Sequence, residues 1–242
     1  MTHLPTAATG ADLDRSPRDR PLLTAEGLRV TFGATTALAD ASLAVHPGEV
    51  LALMGPSGSG KSTLLHCLAG ILRPDAGRVV LDGQDVTAMS DAERSALRRS
   101  QFGFVFQFGQ LVPELTCEEN VALPLRLAGV GRRQAQQAAR EWLGRLEVPD
   151  VAGKRPGQVS GGQGQRVAVA RALIAQPRVV FADEPTGALD SLNGERVMQL
   201  LVRAARETGA AVVLVTHEAR VAAYSDREAV VRDGRVREQV TA

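Results

Sequence analysis

Val50-Leu51-Ala52-Leu53-Met54 runs directly into Gly55-Pro56-Ser57-Gly58-Ser59-Gly60-Lys61-Ser62, and the fold is decided by how these two segments join. An unbroken apolar run ended by glycine is the pattern of a strand covered on both faces, which places it in a parallel sheet flanked by helices. The segment after it matches G-x-x-x-x-G-K-[ST] between a strand and a helix, the context in which that spacing has physical meaning. Glycines allow successive backbone amides to turn inward around phosphate oxygens, and the N-terminus of the following helix adds a partial positive charge. Lys61 has the length to reach β and γ phosphate oxygens. Ser62, with Thr63 beside it, offers a hydroxyl to magnesium. Gly55 to Thr63 is therefore a candidate nucleoside triphosphate cradle. The chain holds only two lysines, Lys61 and Lys154, so background lysine frequency does not account for Lys61.

Working outward, Leu28, Val30, Phe32, Leu38, Leu43 and Val45 fall in short polar-interrupted runs, which predict antiparallel strands between Leu22 and Ala44. After the cradle, a helix is expected from Ser62 to Leu72, stopped by Arg73-Pro74. Ser90-Asp91-Ala92-Glu93 and Thr116-Cys117-Glu118-Glu119 both read as capping boxes that open helices. Arg132 to Leu146 is rich in strong helix formers. Gly153 to Gly164 reads as a glycine-rich loop. Val179-Val180-Phe181-Ala182 and Ala211-Val212-Val213-Leu214-Val215 read as buried strands, with a helix around Glu195 to Arg206 between them. Strand, helix, strand in that order implies an α/β fold with a parallel sheet.

Asp183 and Glu184 follow the first of these strands at the end where open α/β sheets place ligands. The segment resembles a Walker B motif. In that reading Asp183 holds magnesium, directly or through water, and Glu184 is the general base that polarises the attacking water.

Val159-Ser160-Gly161-Gly162-Gln163-Gly164-Gln165-Arg166 precedes a helical run from Val167 to Leu173. It is a second glycine-supported helix start with a serine hydroxyl and open amides, suited to phosphate. It resembles the signature motif of the ABC family of ATPases, with Gly164 where that family usually carries Gln, Glu or Arg, a change that loosens the helix start. The other motifs of the family occur in order. Gln107 matches the Q-loop glutamine that reaches magnesium and water, Asp190 the D-loop, and His217 the switch histidine at the γ-phosphate. Phe32 stands where an aromatic stacks on adenine, and could equally be a core residue.

The resemblance spans about Leu22 to Val236. It implies a P-loop NTPase with a RecA-like parallel core, an antiparallel β subdomain and an inserted helical subdomain at about 108–170, in one domain over 22–242. It also implies ATP and Mg2+ as ligands. The homodimer is implied as well, because in this family Ser160, Gly161, Gly162 and Gln163 of one copy close over the ATP in the P-loop of another. Gly103 to Gln107, Leu111 to Thr116, Glu119 to Leu125 and Asp183 to Asp190 look like the lipoprotein-release and macrolide-export group, whose ATPases work with four-helix permeases bearing extracytoplasmic domains. That resemblance implies export or lipoprotein and antimicrobial-peptide handling. The alternative is an ATPase that mechanically regulates a signalling or cell-wall partner without transport. A DNA-repair or translation ATPase would carry long coiled coils or tandem cassettes, which this chain lacks.

Composition bounds the rest. With 44% apolar and 23% charged residues, the chain has the make-up of a soluble globular domain. A formal net charge of +1 supplies no bulk field for nucleic acid. Cys67 and Cys117 lack zinc-binding spacing and read as free thiols in a reducing compartment. Residues 1–21 read as a disordered polar tail without the apolar core of a signal peptide. No stretch reaches the ~20 apolar residues that cross a bilayer, so the expected place is the cytoplasmic face of the cell membrane, reached through the permease.

Overall fold

A computed structural model describes residues 20–239. The tail assigned to 1–21 lies, apart from Arg20 and Pro21, outside the described residues. The chain opens with two long antiparallel strands, β1 (Leu23–Phe32) and β2 (Thr35–Val45), then β3 (Val50–Met54) and helix α1 (Lys61–Leu68). A hairpin of β4 (Ala76–Leu81) and β5 (Gln84–Asp85) precedes α2 (Asp91–Gln101) and β6 (Phe102–Phe106). The chain then leaves the sheet for α3 (Cys117–Leu127), α4 (Arg132–Arg145) and α5 (Gly161–Leu173). It returns as β7 (Val179–Asp183), α6 (Ser191–Thr208), β8 (Ala211–Val215), the short α7 (Ala219–Ala222) and the hairpin β9 (Arg227–Arg232) and β10 (Arg235–Gln239).

All ten strands join one mixed sheet in the order β5-β4-β1-β2-β10-β9-β3-β8-β7-β6. Strands β9, β3, β8, β7 and β6 are mutually parallel, whereas β1, β2, β4 and β5 pair antiparallel. The two regions meet where β10 lies parallel to β2. Strand alternation divides the interior in two. Val180, Ala182, Val212 and Leu214 face a core with α3 to α6, while Val179, Phe181, Val213 and Val215 face a core with α1 and the antiparallel strands. A strand that feeds both cores must be apolar at every position, which is why these runs are continuous rather than alternating.

Several boundaries differ from the sequence reading. Helix α1 ends at Leu68, four residues before the predicted Leu72, because Gly70 takes φ 61° and closes a Schellman motif. The amide of Ile71 donates to the His66 carbonyl at 2.9 Å, and that of Gly70 to Cys67 at 3.0 Å. Helix α6 is longer than predicted, starting at Ser191 under the Asp190 cap. The loop read over Gly153 to Gly164 stops earlier, at Ser160, which caps α5. Gly164 does not loosen that helix, since its amide donates to the Ser160 carbonyl at 2.8 Å within a continuous first turn. The hairpins at 76–85 and 227–239 add strands beyond those the sequence predicts. Each turns on Asp-Gly with both residues at positive φ, Asp82 (49°) and Gly83 (83°), Asp233 (50°) and Gly234 (69°), the type I′ geometry that this dipeptide favours.

No helix among the described residues is long and apolar enough to cross a membrane. Both cysteines are free and buried.

Candidate active site

The site forms where β3, β7 and β8 end together. Gly55 and Gly60 let the loop after β3 press against its neighbours. A Cβ on Gly55 would lie 2.2 Å from the Val231 carbonyl oxygen of β9, and one on Gly60 would lie 2.4 Å from the Ala37 carbonyl oxygen of β2. Loop residues Ser57 and Gly58 are exposed, whereas Ser59 and Lys61 are buried. The Lys61 ammonium donates to the carbonyls of Gly55 at 2.8 Å and Pro56 at 2.9 Å, which curls the loop around its positive charge. A buried cation satisfied only by neutral carbonyls sits in a place built for an anion.

Ser62, in the first turn of α1, lies with its hydroxyl 3.5 Å from Asp183 Oδ1 at the tip of β7. Burial pushes the Asp183 carboxyl above its ordinary range, helped by the charge of Glu184 and opposed by the Ser62 hydrogen bond and by His66 and Lys61. Glu184 stands next in line at φ 48°, a left-handed conformation that a non-glycine residue adopts at a cost. Its amide donates to the Val215 carbonyl at 2.9 Å, locking the turn to the end of β8. That turn brings the Glu184 carboxylate to 2.8 Å from Nδ1 of His217. A carboxylate only accepts, so Nδ1 carries the proton of this bond and Nε2 is left for another partner.

Comparison with known proteins fits this arrangement. The model of the ABC transporter family matches residues 38–187.

The chain belongs to the ABC transporter family.

It is similar to the lipoprotein-releasing system ATP-binding protein LolD 2 of Caulobacter vibrioides, 45% identical over 88% of this chain and 96% of that one. LolD of Hyphomonas neptunium is 42% identical over 90% of this chain and 97% of its own length. Among solved structures, the dimeric post-hydrolysis state of the ATP-binding cassette MJ0796 bound to ADP and Pi superposes with a TM-score of 0.83 at 39% identity, covering 90% of this chain and 98% of that one. This ABC transporter chain is thus an ATP-binding and ATP-hydrolysing subunit with the fold read from its sequence.

Ser160 caps α5. Its hydroxyl accepts from the Gln163 amide at 3.3 Å, and Gln163 Oε1 accepts from the Ser160 amide at 3.0 Å, a closed capping box on an exposed residue. Around it, Gly161 packs under Leu189, and a Cβ on Gly162 would meet Asn193 Oδ1 at 2.8 Å. The neighbours of this segment are therefore the start of α6 and the turn before it. Asp190 caps α6, its carboxylate accepting from the Asn193 amide at 3.0 Å and side chain at 2.6 Å, which holds it below the usual carboxylate range. Gln107 packs against Gly187, where a Cβ would lie 2.8 Å from Nε2. Phe32 is 55% exposed at the tip of the β1–β2 hairpin and so is not a core residue.

Three residues with structural leverage here, Asn120, Gln165 and Arg171, are not among those that the sequence motifs mark as functional by residue type. Asn120 is fully buried and organises 112–116, accepting from the Val112 amide at 2.7 Å and donating to the carbonyls of Val112, Leu115 and Thr116. Gln165 and Arg171 bond the turn that carries Gln107. In the sequence Asn120 stands between Glu119 and Val121, inside a stretch whose only signal is its resemblance to the export group.

Proposed function

We propose that two copies of this chain bind two ATP molecules, close around them, and drive a conformational change in a separate membrane permease that handles lipoproteins. Support for the chemistry rests on one observation, the convergence of the Lys61 loop, the Ser62–Asp183 pair and the Glu184–His217 pair at the end of one parallel sheet. In this reading Gly55 to Thr63 hold the triphosphate and Lys61 neutralises its terminal oxygens. Phe32 offers an exposed ring to adenine. Glu184 orients the attacking water, held by His217 Nδ1, and His217 keeps Nε2 for the terminal phosphate. Ser160, Gly161, Gly162 and Gln163 present an exposed helix start to the ATP of the partner copy, and Asp190 lies beside that surface.

The donor set fits magnesium. A hydroxyl and one half-buried carboxylate make up a partial shell, and among the described residues no group of three acidic, His or Cys side chains could form a full protein cage. Mg2+ characteristically takes one or two carboxylates and completes its shell with substrate phosphates and water. Ser62 and Asp183 would hold it, with Gln107 reaching its water. The bound ion supplies charge neutralisation to the phosphate oxygens.

For the permease, support comes from a mainly apolar groove of about 330 Å³ lined by Phe104, Phe106, Leu123 and Leu127, with Arg98, Arg99 and Arg171 also in its wall. It opens on the segment 108–170, which we take as the helical subdomain. A short helix of a four-helix permease with an extracytoplasmic domain would dock there and bring the chain to the inner face of the membrane. The LolD names of the relatives supply the lipoprotein assignment.

Replacing Glu184 with Gln tests the core of the proposal. ATP affinity should hold, turnover should drop by more than about 100-fold, and a stable ATP-bound dimer should accumulate on gel filtration. Fast hydrolysis by Glu184→Gln would remove Glu184 from its role.

A further inference from the structure

The turn that carries Gln107 is gripped from one side by a single helix. Gln165 Nε2 donates to the Phe106 carbonyl at 2.8 Å. Arg171 Nη2 donates to the Gly109 carbonyl and Nη1 to that of Gln110, each at 2.8 Å. Gln165, Ala168 and Arg171 recur every three residues along one strip of α5, and Ala168 packs 3.6 Å from where a Gly109 Cβ would stand. Gln165 is only 3% exposed.

The backbone held in this way is strained. Gly109 has φ 67° and Gln110 φ 46°, two left-handed residues in succession, the second without the freedom of glycine. Such a turn persists only where its surroundings fix it. The planar guanidinium supplies two donors in a rigid fork, spanning consecutive carbonyls in a way that a single ammonium cannot match. Helix α5 also starts at the Ser160 cap and, at thirteen residues, is about 20 Å long. A displacement of the signature end therefore carries the turn with it.

We propose that Gln165 and Arg171 are positioning residues that set the place of Gln107 and tie it to the signature helix as one rigid body. The proposal rests on the reading of Gln107 as the residue that reaches the metal-bound water.

The test is a double-mutant cycle on the full chain, with steady-state ATPase kinetics and melting temperature measured for every variant. Gln165→Met and Arg171→Lys, each made separately, should lower kcat about fivefold to tenfold while the KM for ATP stays within about twofold. In a Gln107→Ala background the same substitutions should cost nothing further, because the residue they position is gone. If Gln107→Ala lowers kcat and the effects multiply, the clamp falls while the role of Gln107 stands. If Gln107→Ala leaves kcat unchanged, the role of Gln107 falls and the clamp with it. A lowered melting temperature with unchanged kcat for both clamp variants would make Gln165 and Arg171 merely structural and overturn the proposal.

Discussion

The Cα of Gly55 is pressed against the carbonyl oxygen of Val231, so closely that a Cβ there would stand 2.2 Å from it. The contact joins the start of the phosphate loop to the C-terminal hairpin, and the same hairpin reaches the loop again where the Gly234 amide donates to the Ser59 carbonyl at 3.2 Å. Backbone oxygens do not yield as a flexible side chain would, so Gly55→Ala must move the loop or the strand. We expect a loss of more than about 2 kcal/mol in stability and a weakened ATP affinity. Gly58→Ala meets nothing within 4 Å and bears only its φ of 76°, for a loss of about 1 kcal/mol. Urea denaturation and nucleotide titration of the two variants check the contrast, and equal losses would contradict it.

Ser57 and Ser160 are both exposed, on the phosphate loop and at the α5 cap respectively. If the cap of one copy closes over the loop of another, Ser57→Cys and Ser160→Cys should cross-link between copies only when ATP is present. The native thiols will not interfere, because Cys67 and Cys117 are buried. Cross-linking of equal yield without nucleotide would contradict closure gated by ATP.

Within α5, two neighbouring glycines should respond in opposite directions. A Cβ on Gly164 would touch only Val159 Cγ2 at 3.8 Å, and its backbone is already helical. Gly164→Ala should therefore stabilise by about 0.5–1 kcal/mol through helix propensity, with ATPase activity retained. Gly162→Ala drives a Cβ to 2.8 Å from Asn193 Oδ1, displacing the side chain that bonds Asp190. Thermal melts of the pair should move to opposite sides of the parent.

The parts of this protein that were legible in its sequence are those whose physics is local. A strand buried on both faces must be apolar throughout, so Val50–Met54 announced itself, and a capping box needs only residues three apart, so the starts of α2 and α3 were readable. The end of α1 departs from the expectation set by Pro74 because the left-handed Gly70 stops the helix first. The β9–β10 hairpin carries a weak signal because its strands, Arg227–Arg232 and Arg235–Gln239, are dense in charge, and the Asp-Gly turn is its one mark. Gln165 and Arg171 were unreadable in principle, since each acts on carbonyls about sixty positions away that carry no side-chain signature.

Cys67 provides a pH-dependent check on the packing beneath the phosphate loop. The side chain is 1% exposed in the core shared by α1 and the antiparallel strands, and burial, with a smaller contribution from the charge of Asp75, pushes its thiol up to about 12 from an ordinary 9.0. Below about pH 8 the thiol keeps its proton in both the folded and the unfolded chain, so it contributes almost no pH dependence there. Between 9 and about 12 the unfolded chain releases a proton that the folded chain retains. Stability must then fall as pH rises through that window, by as much as about 1.4 kcal/mol per pH unit from this group. Urea midpoints measured at pH 8 and pH 10.5 should separate more for the parent than for Cys67→Ala, which lacks the titrating group, and the native thiol should resist alkylation at neutral pH until the chain is unfolded. Equal alkaline losses in the two chains, or rapid labelling of folded Cys67, would show that the α1 core is open to solvent.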